Sequence, residues 1–394
     1  MKKKIIITIL LLTLLSISGY KLYSYLRVKN AKIEITLKDD LSLEFNDKKK
    51  VSDYIKSING KIVNDYTINA NKLGKKEVKF QFVNNENIKL NYSFQIEVKD
   101  TTDPVIWLNT IYSIPKNSEN NLINQILCGD NYDNSPLCEI IGEYNLNNTG
   151  DYPLTFKATD SSGNVTSKEF TLKVYEPQNT QTKKEETKTY FSDIVTNYKT
   201  KNTKIGIDVS RWQGNIDFKK IKESGVEFII IKVGGTDKNG KRYLDSKFIQ
   251  NIKNANKYGI DAGIYFFSYA KDNKQAKSDA KWVIKQIKKY DISLPIAFDW
   301  EDWSEFNSYN LSFFGLTSLA EEFLQTIEKA GYKGMIYGSK NYLENIWLKT
   351  KYDIWLAHYV KQTDYKDNYK IWQICDDGII DGIEGFVDID IMNK

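Results

Sequence analysis

The chain has 394 residues, more than one ordinary domain holds, so two to four folded units are expected. Its apolar (41%) and charged (27%) fractions are those of a globular protein and exclude a disordered one. The net charge of +5 comes from scattered lysines offset by scattered acids, with no basic stripe interleaved with aromatics, which argues against nucleic acid as a partner.

The N-terminus, "MKKKIIITILLLTLLSISGYKLYSYL", places three lysines before an unbroken apolar run from Ile5 to Ile17. Residues 1–28, hydrophobic over 5–20, are read as a signal anchor or a cleaved signal peptide. The anchor needs Gly19 to Leu26 to lengthen the run, with Lys21 snorkelling; cleavage would use the small residues Ser16 and Ser18. Either way the basic end stays inside and everything after it is exported. The cytoplasmic membrane is thus an expected partner, and the expected location is the cell surface, anchored or secreted.

Residues 30–176 read as short alternating strands separated by turn residues. They hold an internal repeat: "LGKKEVKFQFVNNENIKLNYSFQIEVKD" from Leu73 aligns without gaps on "TGDYPLTFKATDSSGNVTSKEFTLKVYE" from Thr149. Val78, Phe80, Phe94, Ile96 and Val98 fall on Leu154, Phe156, Phe170, Leu172 and Val174, alternating as one buried strand face requires. Two tandem β-sandwich modules are expected, over 30–102 and 103–176. "TDPVI" and "KATDSSGNVTSKEFTLKVY" in the second copy resemble bacterial immunoglobulin-like modules. The first copy lacks the "DSSGN" turn and is a degenerate member. Such modules act most simply as spacers.

Cys128 and Cys138 flank the turn-like "GDNYDNSPL" and are candidates for a disulfide. Cys375, in "KIWQIC", reads as a small buried residue. Residues 177–202 are polar, of mixed charge and without periodicity, as in a linker.

From residue 203 the texture changes. Strand-like runs occur at "IGIDVS" (205–210), "FIIIKVG" (228–234), "DAGIYFFS" (261–268), "LPIAFDWE" (294–301), "GMIYGS" (334–339), "IWLAHY" (354–359), "KIWQIC" (370–375) and "VDIDIM" (387–392). Helical periods fill the early gaps, with Gly225, Gly259 and Gly331 at C-cap positions. Eight strands predict a closed α/β barrel, and the crowding of the last three predicts about five helices and a helix-poor closing side. A doubly wound open sheet is the alternative.

Barrel chemistry sits at the C-terminal ends of the strands. Asp208 lies near the end of the first, Asp299 and Glu301 at the end of the fourth, and Asp388 in the last. Alternation puts Asp299 and Glu301 on one face, Trp300 on the other, and leaves Asp302 to solvent. Convergent carboxylates without histidines suit either hard-metal binding or glycoside hydrolysis, and a binding-only barrel stays open. The lone His358 and the thiols lack a catalytic motif.

"GIDVSRWQGNIDF", "AGIYFFSYA", "LPIAFDWE", "GYKGMIYGS", "WLAHY", "WQI" and "GFVDID" together resemble the glycoside hydrolase family 25 lysozymes, N-acetylmuramidases related to Chalaropsis-type and phage lysozymes. The resemblance covers 203–394 and implies a (β/α)₅β₃ barrel that cleaves the β-1,4 bond from N-acetylmuramic acid to N-acetylglucosamine in peptidoglycan glycan strands. It implies Glu301 as general acid, Asp299 as the assisting acid, and Asp208 and Asp388 as further acids at the mouth. It places Tyr265, Tyr337, Trp355, Tyr359 and Gln373 along the saccharide cleft. It implies no metal or other cofactor. A catalytically silent wall-binding protein and a glycosidase of another surface polymer are the rivals; protein partners are not specified.

Overall fold

A computed structural model describes residues 2–119, 122–177 and 188–394. The chain forms two compact units, residues 1–101 and 102–394.

The first unit opens with a helix, Lys2–Asn30, which carries the apolar run. The side chains of residues 1–12 and 14 lie outside the described residues. Among the described residues no helix is long and apolar enough to cross a membrane. The rest is strand-rich, built on a long hairpin, Gly74–Asn84 against Lys89–Lys99, with Ser42–Glu44 alongside.

The repeat seen in the sequence is a repeat of register. Gly74 stands opposite Val98 in this hairpin, and Gly150 stands opposite Val174 in the hairpin of Gly150–Thr159 and Val165–Tyr175. The shared positions Val78 and Leu154, Phe80 and Phe156, and Ile96 and Leu172 are all buried in their own cores. The two hairpin turns are also chemically alike. Asp160 accepts the backbone N–H groups of Ser162 and Asn164, while Asn84 accepts those of Glu86 and Ile88. The first copy thus makes its turn from "NNEN", with an Asx side chain doing the same capping.

The second unit holds the second copy and a closed barrel. The barrel strands are β1 (Thr203–Val209), β2 (Phe228–Thr236), β3 (Asp261–Phe267), β4 (Ile296–Asp299), β5 (Gly334–Ser339), β6 (Asp353–Ala357), β7 (Ile371–Ile379) and β8 (Val387–Asn393). Neighbours from β1 to β7 pair in parallel, and β8 closes the ring antiparallel to both β7 and β1. Among the described residues five helices follow the first five strands: α1 (Phe218–Glu223), α2 (Phe248–Lys257), α3 (Asn273–Ile287), α4 (Phe313–Lys329) and α5 (Lys340–Asn345). None separates β6, β7 and β8.

Alternation along the strands produces two cores. Ile229, Ile231, Phe266, Phe298 and Ile336 face the helices, while Phe228, Ile230, Ala297, Met335, Ile371 and Met392 fill the barrel interior. The boundary expected at 203 moves toward the N-terminus. Residues 178–187 lie outside the described residues, but Thr189–Tyr190 pairs with β7, and the helix Phe191–Tyr198 buries Phe191 and Ile194 in the barrel's outer core. Those two apolar anchors turn the second half of the supposed linker into part of the barrel.

Gly206 makes room inside the barrel for Phe228. A Cβ at 206 would lie 2.5 Å from the Phe228 carbonyl oxygen and 2.6 Å from its ring. Gly206→Ala should destabilise the second unit by about 1–3 kcal/mol through overpacking, measured as a lower denaturant midpoint.

Candidate active site

Strand β4 stops at Asp299, so Glu301 heads the loop that follows rather than extending the strand. Pro295 and Leu294, expected in the strand, precede it. Asp299 is buried, and its Oδ1 has no hydrogen-bond partner among the described residues. Burial holds its carboxyl well above the usual range; the neighbouring Glu301 charge adds to the rise, and Lys232 opposes it. Glu301 keeps exposed surface at the rim, while its carboxyl is partly stripped of water. Burial raises it too, again against the pull of Lys232.

Across the mouth β1 and β8 set Asp208 directly opposite Asp388. Because β8 runs in reverse, its first residues lie at the open end, and Asp390 follows two residues deeper on the same face. Asp208 accepts from Gln373 Nε2 at 2.7 Å. The Gln373 Oε1 in turn accepts from Tyr337 (3.0 Å) and Tyr359 (2.9 Å). Asp390, with no exposed surface, accepts from the Trp355 indole N–H at 2.8 Å. Burial pushes Asp388 up to about 9, with the Asp208 charge adding to it. Burial likewise holds Asp208 and Asp390 well above the carboxylate range, with Asp390 repelling Asp208 and the Gln373 hydrogen bond opposing.

The four acids Asp208, Asp299, Glu301 and Asp388 therefore come together at one mouth. The supporting side chains divide. Tyr359 is half exposed, and Tyr265 and Tyr337 reach the interior wall beside it. Trp355, expected on the cleft wall, is only 2% exposed, with the Tyr265 and Tyr337 rings against it at 5.9 and 4.7 Å. Gln373, at 4% exposed, is likewise internal. Both lie inside the wall, with their polar atoms engaged by Asp390, Asp208 and the tyrosines.

Asp302 is corrected. It is not solvated: Tyr309 donates to it at 2.8 Å and Lys238 pairs with it at 3.3 Å. Trp300 points out of the barrel and packs edge-on against Trp303 and Tyr309. His358 contacts Thr363 Oγ1 through Nδ1 at 2.9 Å. Cys128 and Cys138 form a disulfide, and burial pushes the free Cys375 thiol up to about 12, leaving it without nucleophilic character at neutral pH.

Three residues escaped the sequence reading. Asp390 is the second acid of "DID", and period-two spacing alone would have placed it beside Asp388. Lys232 is a lone cation in the apolar "FIIIKVG", lying 4.4 Å from the Phe267 ring centre, and is the counter-charge to Asp299 and Glu301. Trp212, 76% exposed just past β1, is an aromatic face open to solvent. Larger hollows on the outer wall, of about 710 and 850 Å³, include none of the four acids. The recess that holds Glu301 is about 290 Å³ and is lined by Tyr337, Ser339, Asn341, His358 and Tyr359.

A mouth that gathers carboxyls of raised pKa holds the kind of paired acids that glycoside hydrolysis uses. Residues 207–383 match the family model for "Glycosyl hydrolases family 25". The chain is 29% identical over 196 residues to the uncharacterized protein YegX of Escherichia coli K12, covering 48% of this chain and 69% of that one. It is 28% identical over 188 residues to the autolytic lysozyme of Clostridium acetobutylicum, covering 47% of this chain and 54% of that one. Among solved structures, the modular autolysin LytC of Streptococcus pneumoniae in complex with a synthetic peptidoglycan ligand matches with a TM-score of 0.44 and 25% identity. That match covers 60% of this chain and 56% of LytC. The chain thus spans little more than half of the clostridial and pneumococcal proteins.

The buried acids make stability depend on pH with a definite sign. The folded state holds protons on Asp208, Asp388 and Asp390 that the unfolded chain, with ordinary carboxyls near 4, has released. The stability these three acids contribute is therefore fully present below about pH 4 and is lost as pH rises toward about 9. Asp390→Asn, which keeps an acceptor for Trp355, should reduce that slope by up to one proton, about 1.4 kcal/mol per pH unit, in denaturant titrations across pH 5–8.

Proposed function

We propose that this protein is a peptidoglycan hydrolase of the muramidase type, cleaving the β-1,4 bond between N-acetylmuramic acid and N-acetylglucosamine. The observation that carries it is the placement of Glu301: an acid raised by burial, at the solvent-facing lip of a mouth that also gathers Asp208, Asp299 and Asp388. Glu301 donates its proton to the glycosidic oxygen as the bond to C1 breaks. The N-acetyl carbonyl oxygen of the muramic acid closes on C1 from the other face, and Asp299 orients that group. Water then opens the intermediate, with Glu301 taking back a proton, so the configuration at C1 is retained.

Asp208 and Asp388 hold the opposite rim, and Tyr359 and Trp212 are the exposed aromatics available to sugar faces. The five helices followed by three bare strands support the (β/α)₅β₃ form, and the matched hairpin registers support two immunoglobulin-like modules. The lysine-led hydrophobic N-terminus supports export, with the hydrolase held at the outer face of the membrane toward the wall.

The test is to incubate the full chain with Gram-positive peptidoglycan, reduce the products with borohydride and identify the new ends by mass spectrometry. Reduced muramic acid ends are expected. Reduced glucosamine ends, or binding without any new ends, would overturn the assignment. Glu301→Gln should lower turnover by at least about a hundredfold while leaving circular dichroism and thermal midpoint unchanged.

A further inference from the structure

The loop that carries Glu301 runs from Trp300 to Ser312, where α4 begins, and it is far longer than the ~2–6 residues usual for such connections. Its far end is held by a segment of the preceding strand-rich module, residues 126–134. Asn307 receives the Cys128 N–H on Oδ1 and donates Nδ2 to the Ile126 carbonyl, both at 3.2 Å. The first N–H groups of α4, which no helix can satisfy internally, are also taken by the module. Ser312 N–H donates to Asn134 Oδ1 (3.0 Å), Phe313 N–H to the Asp130 carbonyl (2.8 Å) and Phe314 N–H to the Asn131 carbonyl (3.1 Å).

The contact is also packed. Leu127 is buried within the barrel's outer core, and a Cβ on Gly129 would fall 2.6 Å from the Phe313 ring and 3.0 Å from Phe306. A second line of contact runs through three rings. Trp107 of the module lies 5.3 Å from Tyr342, which stacks at 4.0 Å on Trp303, two residues past Glu301. The clasp is itself rigid: the Cys128–Cys138 disulfide closes it, and Asp130 Oδ2 receives the N–H groups of Tyr132 and Asp133.

We infer that the 103–176 module is a working part of the catalytic unit, with Asn134, Gly129 and Asn307 as positioning residues that fix the Glu301 loop for reaction. This goes beyond a spacer role and rests on the muramidase assignment for its kinetic consequence only. A displacement of about 1 Å in a reacting group can cost about a hundredfold in rate, so a loosened loop should reduce turnover rather than binding.

The test compares the full chain with Gly129→Val and Asn134→Ala, on soluble uncrosslinked glycan fragments and on whole sacculi. Both variants should lower kcat on the soluble fragments by about tenfold or more with KM within about twofold. The alkaline limb of the pH–rate profile should move to lower pH as the Glu301 carboxyl gains water. Hydrogen exchange should quicken across 302–314 while β1, β2 and β8 keep their protection. Unchanged kcat and pH profile on soluble fragments would overturn the inference, even if activity on sacculi fell, since that would mark a wall-targeting module. Should the wild-type chain release no muramic acid ends, the muramidase assignment fails. The exchange measurement then decides the clasp alone: unchanged exchange across 302–314 in both variants overturns it.

Discussion

The hydrogen bond from Gln373 to Asp208 is the contact around which the mouth is arranged. A buried carboxyl without partners loses its charge or destabilises its surroundings. Here β7 answers with an amide that donates to Asp208 and accepts from two tyrosines at once, so one side chain ties β1, β5, β7 and the segment after β6 together around the acid. Trp355 does the same for Asp390 from below. The reversed last strand makes this possible. Running antiparallel, β8 brings the start of its sequence to the open end, which sets Asp388 against Asp208 and leaves Asp390 one layer down. The helix-free side of the barrel is therefore also the side where three carboxyls share a few hydrogen-bond donors and retain their protons.

The opposite rim solves a different problem. Asp299 and Glu301 have Lys232 in place of an amide network, and that lysine is itself held by aromatic faces and partly stripped of water. Burial raises both acids and the lysine lowers them. The two acids thus share one counter-charge, and the Glu301 charge adds to the rise at Asp299.

Much of this was legible in the sequence because strand burial leaves a coarse, redundant signal. All eight barrel strands begin within two residues of the apolar runs that announced them, and the glycines at 225, 259 and 331 all take the left-handed conformation of a helix cap. The acids were visible because a charge at the end of an apolar run is conspicuous. Less visible was anything decided across strands. Whether Trp355 faces sugar or supports a carboxylate depends on β8, thirty-odd residues away, and a pattern of aromatics at strand ends reads the same in both cases. Lys232 and Asp390 were missed for the reverse reason: each sits inside a run whose apolar character dominates the window. The degenerate turn at Asn84 shows that one capping geometry can be written with different letters, so comparing letters understates how alike the two modules are.

The domain borders were the least legible feature, and the reason is physical. Polar, aperiodic residues mark a linker only if nothing nearby offers them a surface. Phe191 and Ile194 are two apolar side chains in an otherwise polar stretch, enough to seat one short helix on the barrel. The clasp at 126–134 is subtler still, because most of its hold on the barrel is through main-chain groups, carbonyls and N–H groups that every residue carries. The barrel needs that hold because of its own sequence. "WEDWSEFNSYN" folds into a short 3-10 helix at Trp303–Tyr309, and its Asn307 side chain reaches the clasp while its start bears Glu301. The first N–H groups of α4 beside a module with spare carbonyls form a stable pairing, and it makes the border between module and barrel one of sequence rather than of structure.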